Sequence, residues 1–290
     1  MLPLTVFLKI TIITMRIVFR NFVRLLSAGA FNTEETVERM SAFKWRQILN
    51  LAETSNVSEY ISSGLVASYE QDKTAIPYYI IEESASKAAK KDTSEQKTDG
   101  SNKFTRLPIK KFANFYLNHK FNKIIFNEIH SIDTSVDTLT FLCKLVDNAN
   151  LLLNKGIDFK ELAELGLYLR KNGNKIDFIK IERWVKLLKM KRISDLIGSC
   201  LITLFSFDAQ EIPFLKKPDN KTERYILTYL SASLYGKKNE RKIEKRDDEE
   251  TESLIHKPGK ITTGYFSYCP LEASSISFAR VIKSLSNIEE

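Results

Sequence analysis

Six basic residues between Lys103 and Lys123 are interleaved with aromatic ones: Lys103, Arg106, Lys110, Lys111, Lys120 and Lys123 against Phe104, Phe112, Phe115, Tyr116, Phe121 and Phe126. Cations that can hold phosphate or carboxylate, set beside rings that can stack, suit single-stranded nucleic acid. These six are therefore the candidate anion-binding residues. The same letters have a cheaper structural reading. Phe112, Phe115 and Tyr116 recur at helical spacing, so a buried aromatic face and a solvated lysine face would account for them. Trp45, bracketed by Lys44 and Arg46, is a candidate stacking residue by the same logic, with a core anchor as the preferred reading.

Catalytic signatures are missing. The sequence has no Gly-rich phosphate loop, no HExxH pair of zinc ligands and no GxSxG turn. Its three histidines lie far apart, and His119 and His130 have no second ligand pair between or beside them, which leaves no metal-binding spacing. Cys143, Cys200 and Cys269 form no CxxC motif and no disulfide framework, consistent with a reducing cytoplasm. The acidic run Asp247, Asp248, Glu249 and Glu250 sits in a stretch too polar to hold carboxylates in a fixed shell. Gly198-Ser199 followed by Asp208 and Glu211 faintly matches the Gly-Ser and paired-carboxylate arrangement of nucleotidyltransferases, in which the acids hold Mg²⁺. Here Gly198 and Ser199 fall inside an apolar helical pattern, so the match is rejected. The site composition is catalytic residues none, metal none and cofactors none.

The elements that would position any site are helices. In 290 residues there are only 10 Gly and 7 Pro, too few for the turns of a sandwich or barrel, while 43% apolar content suffices for a core. The pattern from Ile132 to Phe214 predicts the centre of the fold. Ser135 to Asn154 has one apolar helical face and ends before Gly156. Asp158 and Asp177 read as N-caps of the next two helices, Phe159 to Lys171 (stopped by Gly173) and one burying Phe178, Ile181, Val185 and Leu188. Ile193 to Phe207 is apolar on most sides and reads as central. The fold class is a mainly α, multi-helix bundle-like domain with two polar linkers. The expected division is 1–83, an N-terminal helical segment; 84–102, a polar linker; 103–236, the central helical domain; 237–260, a charged linker; and 261–290, a tail that packs on the body. Within the first segment, residues 34–69 read as helical, with Thr36 to Met40 leading in.

Arg16, Arg20 and Arg24 recur every fourth residue near the N-terminus and form a second basic stripe. The apolar run before them is broken by charge too early for a membrane span of roughly 20 residues. Met15 is the expected natural start. Contact of residues 1–26 with a membrane surface is an alternative that is not preferred. The surplus of 44 basic over 36 acidic residues favours an anionic macromolecule as partner, with another protein as the second class.

Two stretches carry a resemblance. MRIVFRNFVRLLSAGAFNTEE, followed by MSAFKWRQILNLAETSNVSEYISSGL, resembles the opening of the uncharacterised nucleotidyltransferase-like proteins of Bacteroidetes bacteria, with their Phe-x-x-Leu-Leu-x-x-Gly segment. KIDFIKIERWVKLLKMKRISDLIGSCLITLFSFDAQEIPF is similar to their helical C-terminal part. The matching positions there are Ile176, Asp177, Trp184, Leu187, Met190, Arg192, Gly198, Glu211, Pro213 and Phe214. The family's Asp-x-Asp segment has no counterpart between Gly64 and Ser135. The resemblance thus implies a helical, non-catalytic binding or accessory protein related to those enzymes. A nucleotidyltransferase with a degenerate site, using Mg²⁺ and a nucleoside triphosphate, is one alternative. A basic peripheral membrane or nucleic-acid-binding protein is the other.

Overall fold

The computed structural model describes residues 4–95, 112–133, 135–230 and 264–286, and among these every regular element is a helix. In chain order they are α1 (Leu4–Phe31), α2 (Ala42–Thr54), α3 (Ser58–Gln71), α4 (Tyr78–Glu95), α5 (Phe115–Ile129), α6 (Val136–Asn154), α7 (Phe159–Asn172), α8 (Phe178–Leu187), α9 (Lys191–Phe205) and α10 (Pro270–Ser286). Residues 222–230 are also helical. The protein is mainly α, as its composition predicts. It divides into two compact units, Met1–Ser101 with Arg224–Glu250, and Asn102–Glu223 with Thr251–Glu290. The charged stretch 237–260 lies outside the described residues.

In the first unit α1 and α3 meet backbone to backbone. A Cβ on Gly29 would lie 1.7 Å from the Tyr60 carbonyl oxygen, and one on Gly64 would lie 2.0 Å from that of Leu25. Only glycine permits so close a crossing. Around it Phe22, Leu25, Leu26, Trp45, Ile48, Ile61 and Leu65 are buried, each adding about 1.5–3 kcal/mol of apolar burial.

The chain between α1 and α2 is not helical, contrary to the expectation that a helix leads in from Thr36. The buried Asn21 side chain explains this. Its Nδ2 donates to the Glu38 carbonyl at 2.7 Å and its Oδ1 accepts from the Glu38 N–H at 3.0 Å, so both backbone groups of Glu38 bond to α1 instead of to a new helix. The Glu38 carboxylate accepts two bonds from Arg20, at 2.9 and 2.7 Å, and one from Arg24 at 3.2 Å. Those bonds hold the Glu38 carboxyl below its usual range. Arg20 and Arg24 are thus engaged by one acid and do not form an open basic stripe; the side chain of Arg16 lies outside the described residues. The polar stretch from Ser84, expected as a linker, continues α4 to Glu95. Its Ala, Lys and Glu residues are good helix formers even with little to bury.

Asp158 and Asp177 cap their helices as the sequence pattern predicts, and Ser135 caps α6 as well. Ser135 Oγ accepts from Thr138 N–H at 3.3 Å, Asp158 Oδ1 from Glu161 N–H at 3.1 Å, and Asp177 Oδ1 from Ile179 and Lys180 N–H at 2.9 and 3.0 Å. Gly156 ends α6 with φ 92°, where a side chain would be strained. Gly173 behaves differently from expectation: its φ is −55°, and it opens a 3-10 turn over Gly173–Lys175. α9 is central, with Ile193, Leu196, Ile197, Cys200, Leu201 and Phe205 all buried. It packs against α6, α7 and α8. The segment after it is held by Asp219, whose N–H donates to Ser199 Oγ at 2.8 Å and whose Oδ2 accepts from Tyr268 Oη–H at 2.6 Å. α10 docks through Arg280, which donates to Asn154 Oδ1 at 3.0 Å, and through Glu272.

Replacing Gly29 by Ala places the new methyl against the Tyr60 carbonyl. It should lower stability by about 3 kcal/mol or prevent folding. Gly173→Ala, with nothing within 4 Å of the added carbon, should leave it unchanged or slightly raised. Thermal unfolding of the two variants checks this pair; equal midpoints would contradict the backbone crossing.

Candidate anion-binding site

α5 starts where two elements meet. Asn114 Oδ1 accepts from Leu117 N–H at 3.1 Å, and the Ala113 and Asn114 N–H groups donate to the buried Glu272 carboxylate of α10 at 2.7 and 3.0 Å. Burial pushes the Glu272 carboxyl up, and the two N–H donors offset only part of that rise. The face of α5 that enters the core carries Leu117, Phe121, Ile124 and Ile125, with Phe112 buried ahead of the helix. This corrects the expected aromatic face. The helix begins only at Phe115, and Phe115, Tyr116 and Phe126 are exposed, because the buried stripe follows Leu117 at helical spacing and leaves them on the other side.

Two polar links tie α5 to α8. Glu128, nearly buried, accepts from Lys180 Nζ at 2.8 Å and from Ser135 N–H at 3.1 Å. Lys180 Nζ also donates to the Asp133 carbonyl at 2.9 Å. The Glu128 carboxylate holds the Lys180 ammonium above the usual lysine range. At the other end Lys120 Nζ lies 3.5 Å from the Leu187 carbonyl, one of the acceptors left open at the C-terminus of α8. It also sits 4.3 Å over the Tyr116 ring. Passing from Glu128 to Lys120 on one helix accompanies passing from Lys180 to Leu187 on the other, so the two run antiparallel.

Beside this seam lies a groove of about 500 Å³ lined by Lys120, Ile179, Glu182, Arg183, Lys186, Leu187 and Lys189. Ile179, Arg183 and Leu187 are four residues apart and form one stripe on α8, opposite the buried Ile181 and Val185. The floor is aliphatic and the rim cationic. Glu182, the one acid of the lining, accepts from Lys186 at 2.8 Å and Lys216 at 3.0 Å. Those two ammonium groups hold its carboxyl down to about 2, so it stays ionised and matched. Arg183 and Lys189 have no acidic partner among the described residues. The Tyr116 phenol is drawn below its usual range by its hydrogen bond to Lys120 and by the charges of Lys120 and Lys189.

Lys189 is placed by a helix ending. Its φ is 56°, its N–H donates to the Lys186 carbonyl at 3.1 Å, and Met190 N–H donates to the Val185 carbonyl at 2.9 Å. Glycine is the usual residue at this left-handed position, and any other L-residue there costs roughly 1–2 kcal/mol.

Of the basic residues singled out in the sequence, Lys120 lines the groove and Lys123 is exposed on α5, whereas Lys103, Arg106, Lys110 and Lys111 lie outside the described residues. Trp45 is fully buried in the first unit, and its indole N–H has no acceptor among the described residues. Its ring is a core element with no face open to a base. Asp208 and Glu211 form a capping box: Glu211 Oε2 accepts from Asp208 N–H at 2.9 Å and Oε1 from Arg170 Nε at 3.2 Å. Gly198 lies in α9 with Ile212 and Leu215 3.3 Å from where a Cβ would stand, so no phosphate cradle exists there. The thiols of Cys143, Cys200 and Cys269 are buried, which pushes them up to about 12, 12 and 11 and leaves them unreactive. No cluster of metal-ligating residues occurs among the described residues, and none of their helices is long and apolar enough to cross a membrane.

Arg183, Lys186, Lys189 and Ile179 were not marked as a site by their letters. The available signal was the exposed Ile-Arg-Leu stripe of α8, which is visible only once Ile181 and Val185 are assigned to the core. No family model, curated protein or solved structure matches the chain.

The Glu128–Lys180 link should set the seam. Glu128→Ala leaves Lys180 with Asp133 alone and takes an acceptor from the Ser135 N–H, and should cost about 2–3 kcal/mol. Replacing both partners, Glu128→Leu with Lys180→Met, should cost less than the single change. A double-mutant cycle by urea unfolding checks this, and additive effects would contradict it.

Proposed function

We propose that the chain is a non-catalytic binding or accessory protein that holds an anionic partner along the α5–α8 groove. The observation that carries this is the convergence of Lys120, Arg183, Lys186 and Lys189 on an exposed aliphatic stripe whose only acid is already matched by Lys186 and Lys216. Part of that charge has a structural use: Lys120 meets the α8 C-terminus, and cations are favoured at such an end. Arg183, a turn earlier, has no such use. Lys189 occupies a backbone position that glycine would fill at less cost, which supports a role for its side chain in function. The resemblance to the helical parts of nucleotidyltransferase-like proteins fits the same reading, as an accessory module that lacks the catalytic segment. Three buried free thiols support a cytoplasmic location.

Fluorescence anisotropy with labelled polyglutamate of about 20 residues and oligothymidylate of about 20 nucleotides, in low and raised salt, tests the reading. At least one probe should bind and weaken as salt rises. Arg183→Glu with Lys189→Glu should reduce that affinity at least about tenfold, or about 1.4 kcal/mol. Lys189→Gly should bind more weakly yet unfold later, gaining up to about 1 kcal/mol from relief of the left-handed position. Binding by neither probe, or undiminished binding by the double variant, would overturn the assignment.

A further inference from the structure

We propose that the occupant of the groove is an acidic amphipathic helix of a partner protein, an inference that rests on the groove being the anion-binding site. The floor decides against nucleic acid. Bases need open rings to stack on, and Ile179 and Leu187 offer none. Tyr116 already has Lys120 Nζ over one face, and the exposed Phe115 and Phe126 do not line the groove.

Exposure decides against a small molecule. A site for one typically encloses about 70–90% of its ligand. Ile179 is 76% exposed and Leu187 44% exposed, so the floor is open and does not enclose a ligand. Such a floor suits a partner that is laid across it.

Length and charge then fix the partner. Ile179 to Leu187 spans about 12 Å at the rise of an α-helix, two turns, which matches aliphatic anchors at i, i+4 and i+7 of a docked helix. Asp or Glu residues flanking those anchors would meet Arg183 and Lys189, two of the groove's cations with no acidic partner among the described residues. Apolar anchors bounded by charge complementarity give both hold and register.

A synthetic peptide of about 16 residues tests this, with Leu at i, i+4 and i+7 and Glu at the flanking positions. Its controls are a scramble of the same composition and the polyglutamate probe. Titrated against the full chain by calorimetry, the peptide should bind at least about tenfold more tightly than the scramble. Ile179→Ser with Leu187→Ser should remove that advantage while weakening polyglutamate binding far less and leaving the unfolding midpoint unchanged, since both side chains are exposed. Equal binding of peptide and scramble, or oligothymidylate displacing the peptide and ignoring the Ser substitutions, would overturn the inference and leave the anion-binding reading standing. No binding of any anionic probe would overturn both.

Discussion

The second unit depends on an ion pair taken mostly out of water. Glu128 is nearly buried and accepts from Lys180 at 2.8 Å, and the same carboxylate takes the Ser135 N–H that precedes α6. Three elements, α5, the start of α6 and α8, therefore share one acceptor. Desolvating such a pair is unfavourable unless every lone pair and proton is matched. Here Lys180 reaches a second acceptor, the Asp133 carbonyl, and Thr138 Oγ1 accepts from Asp177 N–H at 2.8 Å, which pins the start of α8 to α6. Because the link is specific in geometry, it fixes the register of α5 against α8. With the register fixed, Lys120 comes to the end of α8 and the exposed stripe of α8 faces outward. The first unit has a different constraint, one of shape: Gly29 and Gly64 let α1 and α3 touch at the backbone.

Function follows from which charges these constraints leave over. The net charge of +8 does not by itself locate a site, and some of the basic residues are matched by an acid close by. Arg20 and Arg24 share Glu38, Arg170 takes Glu211, Lys144 takes Glu164, and Lys180 takes Glu128. Exposed pairs of this kind contribute little to stability, typically about 0–1 kcal/mol. They do cancel local potential. Arg183 and Lys189 are among the described cations that have no such acid, and these two line the groove beside the aliphatic stripe of α8. The left-handed backbone at Lys189 adds an independent sign that this side chain has been retained at some cost.

The sequence was most informative where a residue's role is local. Asp158 and Asp177 read as caps because a short polar side chain before an apolar helical period has one main use, and each does accept the expected N–H. Gly156 was legible for the same reason. Thr36 to Met40 was not, because the cause of its non-helical backbone is Asn21, a residue on another helix whose carboxamide gives no sign of its partner. The basic and aromatic run misled in a third way. Its spacing suggested that the rings were buried, but the start of α5 is set by Asn114 and by Glu272 from far along the chain, and this turns Phe115 and Tyr116 outward. Lys120 was found because it lies in that run. Arg183 and Lys189 were not, since a lone arginine between apolar residues and a lysine after a helix have no signature before the fold places them on one rim.

The central claim is that anionic partners meet the chain at the α5–α8 groove, and mapping amide resonances by heteronuclear NMR during titration with polyglutamate tests it most directly. Signals from Lys120, Ile179, Arg183, Leu187 and Lys189 should move together and saturate at a common concentration, with the interior of α9 unaffected. Shifts confined to the first unit, or spread evenly over all exposed lysines, would contradict the claim and identify the charge surplus as a diffuse surface property.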